Sequence, residues 1–289
     1  MKQLKWLGIA ICISLFVILG NSDLFASAAT KQPKHYTELE FSDPPEITLP
    51  EYETFKLENG LKVYLIEDHE FPLVEGRAIF RTGSRLEPVE KVGLASLTGN
   101  LMRSGGTQQH SPDELNQILE QRAASVETGI GTASGSAKFD CLTGDLDTVF
   151  NLFAEVIKTP AFAEEKYALA KQQIKGSIAR RNDDPSEIAD REFKKVLYGE
   201  KSPYARTVEY ETLNNISRED VIEFYQSYIR PEEMLLGIVG DFDATEMRDR
   251  VEKAFGAWQV STLKPNYDVP SATQKRTDGV YFVQQPQLS

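Results

Sequence analysis

Val92-Gly93-Leu94-Ala95-Ser96-Leu97-Thr98-Gly99-Asn100-Leu101-Met102-Arg103-Ser104-Gly105-Gly106-Thr107 is the stretch whose reading decides the fold. Leu94, Leu97 and Leu101 recur at helical spacing, with Ala95, Thr98 and Met102 beside them. That periodicity predicts an amphipathic helix with one face in a core. The opposite face carries Ser96, Gly99, Asn100 and Arg103. Glycines stand at both ends of the segment.

The segments on either side predict an α+β chain. Thr54–Leu57 and Leu61–Ile66 read as strands around Glu58-Asn59-Gly60. Asn-Gly between such segments is a hairpin signal, because both residues tolerate positive φ. A third strand is predicted from Leu73 to Arg81. A second helix starts at Ser111, an N-cap three residues before Glu114, and runs to about Ala124. Strands near Ser125–Gly129 and Ser134–Leu142 follow, then a helix from Leu146 to Ile157 stopped by Pro160. A long helix spans about Ala163 to Arg181, ended by Asp183-Asp184-Pro185. Helices over Ser186–Leu197 and from Ser217 to about Tyr228, a buried strand Met234–Gly240 and a helix Ala244–Phe255 complete the series. Strands and helices do not alternate regularly, so a doubly wound sheet is not predicted.

Bulk composition narrows the class further. Of 289 residues, 40% are hydrophobic and 26% charged, ordinary values for a globular protein. The formal net charge of −12, with no basic stripe, argues against nucleic acid as a partner. Lys2 and Lys5, the apolar run Trp6–Gly20 and Ala26-Ser27-Ala28 form the pattern of a cleavable signal over residues 1–28. Cys12 would leave with it, so Cys141 remains alone, without an internal disulfide, and reads as a small buried thiol. That fits an exported, periplasmic or secreted protein stable without disulfides. Residues 29–50, with Pro33, Pro44, Pro45 and Pro50, read as an extended lead-in. Residues 51–262 read as the domain proper, and 263–289 as a linker leading into a strand at Gly279–Val283, the start of something larger.

From Tyr52 onward the chain resembles the insulinase/pitrilysin (M16) zinc peptidases. Gly93 and Ala95 match the flank of that family's active-site helix, where Gly-x-Ala is followed by His-x-x-Glu-His. Asn59-Gly60-Leu61-Lys62-Val63, Ser111-Pro112-Asp113-Glu114-Leu115, Pro160-Ala161-Phe162, Asp184-Pro185, Gly199 with Pro203-Tyr204, Val239-Gly240-Asp241-Phe242 and Phe255-Gly256-Ala257-Trp258 are similar to further family segments in the same order. The resemblance implies a two-layer α/β sandwich, a mixed, mostly antiparallel sheet covered by helices.

In active members two histidines at i and i+4 bind Zn²⁺, the glutamate before the second acts as base, and a remote glutamate is the third ligand. Here Ser96 stands at the first histidine, Gly99 at the base and Asn100 at the second histidine. The family's Glu-x6-Glu pattern, begun at Glu165, ends at Gln172. Gly99 costs the helix about 1 kcal/mol relative to alanine, which reads as a position relieved of a functional side chain. Arg103 adds a cation that would oppose a metal. His35, His69 and His110 share no helical face. The implication is a member with no catalytic residues, no metal ligands and no cofactor.

The role so implied is peptide binding or assembly with an active zinc metalloendopeptidase subunit or a homologous second domain, with unfolded peptide as the other partner. An active peptidase with unusual ligands and a free-standing periplasmic binding module are the competing readings.

Overall fold

The computed structural model describes residues 50–259 continuously, together with 35–39, 44, 46, 265–268 and 279–284. The expected signal segment lies outside the described residues. So does most of the expected lead-in, of which Tyr36–Glu38 forms one 3₁₀ turn. The chain divides at Leu49/Pro50, and everything that follows concerns the second unit.

Among the described residues six strands form one sheet: β1 (Glu53–Lys56), β2 (Lys62–Glu67), β3 (Leu73–Phe80), β4 (Ser125–Ile130), β5 (Gly135–Leu142) and β6 (Met234–Gly240). Their spatial order is β1-β2-β6-β3-β5-β4. Only β2 and β6 run parallel. The α+β sandwich with a mixed, mostly antiparallel sheet is the fold the sequence predicts.

Among the described residues eight α-helices accompany the sheet: α1 (Leu94–Ser104), α2 (Pro112–Glu120), α3 (Leu146–Lys158), α4 (Glu164–Arg180), α5 (Pro185–Tyr198), α6 (Tyr210–Asn214), α7 (Arg218–Tyr228) and α8 (Ala244–Phe255). The short α6 has no apolar period to announce it. The second helix stops at Glu120, not near Ala124, because Ala123 turns to φ 48°. At its start the Ser111 hydroxyl and the Glu114 carboxylate form the predicted capping box.

Alternation along β3, exposed then buried, shows one face in the core and the other open. Val63, Leu65, Val74, Ala78, Phe139 and Leu236 line the core face. Phe150, Phe153 and Phe255 from α3 and α8 pack on it, edge to face or tilted, with centroids 4.9–6.3 Å apart including Phe139. Helix α1 lies between β4 on one side and α4 and α7 on the other. Cys141 is buried, as predicted, and burial pushes its thiol up to about 12, which leaves it inert.

The strand expected at Gly279–Val283 reads as the start of something larger, a reading the described residues leave untested. Residues 279–284 carry no strand, and Val280 is fully exposed. Extended chain without a neighbouring ladder has nothing to fix it as a strand. Earlier in the tail, Tyr267 packs under the Arg81 guanidinium, 4.4 Å from the ring centroid.

Candidate functional site

Helix α1 is fixed first at its N-terminus. Gly93 takes φ 106°, and the Glu87 carboxylate accepts hydrogen bonds from Gly93 N (3.1 Å) and Ala95 N (2.9 Å). A side chain from outside the helix thus satisfies donors that the first turn leaves open. Burial raises the Glu87 carboxyl to about 7 against the pull of those donors.

The middle of the helix rests on the edge strand. A Cβ at Gly99 would stand 2.3 Å from Ile130 N and 2.8 Å from Gly129 C. Thr128 Oγ1 donates to Gly99 O at 2.6 Å. Helix and strand therefore meet backbone to backbone, and the glycine is required by that contact. It is a packing position, a role the sequence reading did not assign to it. Sequence periodicity could not reveal this, because the strand it touches comes 30 residues later.

One turn on, Arg103 Nε donates to Val126 O and Nη2 to Asn116 Oδ1, each at 2.8 Å. Burial lowers the guanidinium below its ordinary value, with Glu127 acting in the opposite direction. Ser104 Oγ donates to Asn100 O and Oδ1.

A groove of about 320 Å³ opens between α1, α4 and β4. Asn100 and Arg103 line it from α1, Glu127 from β4, and Lys166, Leu169 and Gln173 from α4. Of the four positions singled out from the sequence, Ser96, Asn100 and Gln172 are exposed and Gly99 is buried. Asn100 faces the groove; Gln172 is not among its lining residues. At about 100° per residue, Gln172 projects to the other flank of α4. The i, i+7 pair turned toward the groove is Lys166 and Gln173, not Glu165 and Gln172. Only Tyr167, Ala170 and Ile178 are buried along α4, so its apolar stripe is too sparse to set its rotation from sequence.

Zinc chemistry does not fit this donor set. Around the groove stand amides, a hydroxyl, two cations and one carboxylate, and no group of three His, Cys, Asp or Glu able to hold a metal occurs among the described residues. The histidines are spent elsewhere: His69 pairs with Asp241 (2.7 Å) and His110 with Glu155 (2.8 Å).

The family model of insulinase (peptidase family M16) matches residues 62–209, just over half of the chain. The chain belongs to the insulinase family. A second model, the peptidase M16 inactive domain, matches residues 215–289. Among M16 relatives, an uncharacterized zinc protease of Rickettsia felis is 23% identical over 70% of this chain and 49% of its own length. The non-peptidase homologue YmxG of Helicobacter pylori is 22% identical over 68% and 46%. The chain thus spans about half the length of these curated relatives. The crystal structure of a peptidase M16 inactive domain from Pseudomonas fluorescens superposes with a TM-score of 0.70 at 22% identity, covering 77% of this chain and 54% of that one. That likeness establishes the M16 fold. The two family models divide the chain at α6, which lies between their matches, yet β6, from the second stretch, sits between β2 and β3 of the first.

Proposed function

We propose that this M16 chain is a non-catalytic subunit that assembles with an active zinc metalloendopeptidase in the periplasm, with peptide handling shared between the two. One observation carries the reading: at the position of the family's general base, α1 meets β4 with no space for a side chain. The loss of chemistry is thereby built into the packing, beyond the substitutions at Ser96, Asn100 and the α4 pair.

The open sheet face supports the assembly role. Leu73, Ile79, Leu142, Leu235 and Val239 are exposed on it. Cross-strand neighbours there carry like charges, Glu75 opposite Asp140 and Arg77 opposite Lys138. Such pairs destabilise an isolated sheet face and are relieved by a complementary surface. Similarity to a protein named as a non-peptidase homologue points the same way. The predicted signal over residues 1–28 supports export.

The test is recovery of the tagged full chain from its own cells. Co-purification in fixed proportion with an M16 protein bearing an intact His-x-x-Glu-His is expected. Loss of that partner on Leu235→Glu or Val239→Glu would place the contact on the open face. Recovery of the chain as a lone monomer, with no such protein, would overturn the reading.

A further inference from the structure

The geometry points to the groove between α1, α4 and β4 as a binding site for a peptide carboxylate. It deepens the proposed function, on which it rests for the supply of peptide: cleavage by an active partner leaves new carboxylate termini.

Arg103 is the centre of the argument. Its Nε and Nη2 are held by neutral acceptors, Val126 O and Asn116 Oδ1, and among the described residues it makes no ion pair. These two bonds fix the plane of the guanidinium, and among the described residues Nη1 has no acceptor. A part-buried, pre-oriented guanidinium in no direct ion pair among the described residues is suited to a carboxylate, which it meets through paired N–H donors. Lys166 faces the same space, and its ion-pair partner, Asp113, stands 3.6 Å away with a side chain 92% exposed. The amides of Asn100 and Gln173 add further donors on either wall. Glu127 is the one carboxylate in the lining; it acts on Arg103 as an opposite charge without a direct ion pair, against the two cations Arg103 and Lys166. Leu169, 48% exposed, offers an apolar wall for the aliphatic part of the bound residue. The groove lies at the low end of the range of about 300–1,000 Å³ for small-molecule sites, enough for a terminal residue or one acidic side chain.

Three labelled peptides of otherwise equal sequence separate the sources of the carboxylate. One has a free C-terminus and no acidic residue; one is the same peptide amidated; one is amidated and carries a single internal glutamate. Anisotropy titration of the full chain is expected to show binding of the first that weakens with salt, and at least tenfold weaker binding of the second. Recovery with the third assigns the site to acidic side chains as well as termini, and failure to recover assigns it to termini alone. Gln173→Glu, at an exposed position that the fold does not need, is expected to weaken binding about tenfold with an unchanged melting curve. Lys166→Gln is expected to act in the same direction. Equal affinity for the free and amidated peptides, no binding of any, or indifference to Gln173→Glu would overturn the proposal. If binding fails while the M16 partner still co-purifies, this inference falls alone. If binding persists in a chain that has no partner, the assembly reading falls alone.

Discussion

Gly99 concentrates the account at the scale of a residue. A methyl group there overlaps the β4 backbone, and the overlap cannot be relieved by turning a flexible side chain. Gly99→Ala is therefore predicted to destabilise the domain by about 1–3 kcal/mol, although alanine is the better helix former by about 1 kcal/mol. A thermal melt that rises in the variant would refute the contact. Glu87 gives a second residue-level prediction. Folded Glu87 keeps its proton up to about pH 7, whereas the unfolded chain releases it near the usual 4.5. Between those values the folded state binds more protons, so stability rises as pH falls from about 7 toward 4.5 and is lowest above 7. The span is on the order of 3 kcal/mol. Glu87→Gln keeps an acceptor oxygen for one of the two donors, Gly93 N or Ala95 N, removes the titrating group, and is expected to flatten this slope in denaturant titrations across that range.

At the scale of elements, most boundaries were legible because periodicity, caps and breakers agree. The Asn59-Gly60 hairpin, the Ser111 capping box and the stop at Pro185 each follow from local chemistry. Three things were not legible. The rotation of α4 depends on a sparse stripe, so Lys166 and Gln173 were missed in favour of the neighbouring pair. The capping of α1 by Glu87 comes from a side chain six to eight residues outside the hydrogen-bonded positions. The closure of the site at Gly99 depends on a strand distant in sequence. Element order also decides where the chain can be divided. β6 is hydrogen-bonded to β2 and β3 at once, and Leu236 in it is fully buried. A chain ended at Asn214, between the two family-model matches, is predicted to lose cooperative unfolding, because β2 and β3 then have no strand between them. The complementary prediction is that Leu236→Ala costs about 2–5 kcal/mol in denaturant unfolding. A truncated chain with a sharp transition would show that the second stretch folds apart.

The whole molecule keeps the architecture of a peptidase while its groove has changed character. Arg103 and Lys166 bring positive charge to the groove beside α1, the helix that resembles the family's active-site helix. The edge strand β4 is partly closed by the same helix: Arg103 caps Val126 O, and Gly99 lies over Ile130 N. Covered edges resist unwanted strand addition. The opposite edge, β1, is four residues long and ends in Lys56, which also limits strand addition. Charge, packing and edge protection support the proposed non-catalytic role. The most direct measurement is the zinc stoichiometry of the purified full chain after equilibration with excess Zn²⁺ and dialysis, read by elemental mass spectrometry. The account predicts well below one zinc per chain and no chelator-sensitive cleavage of unfolded peptide; one tightly held zinc per chain, removed together with peptidase activity by chelator, would contradict it.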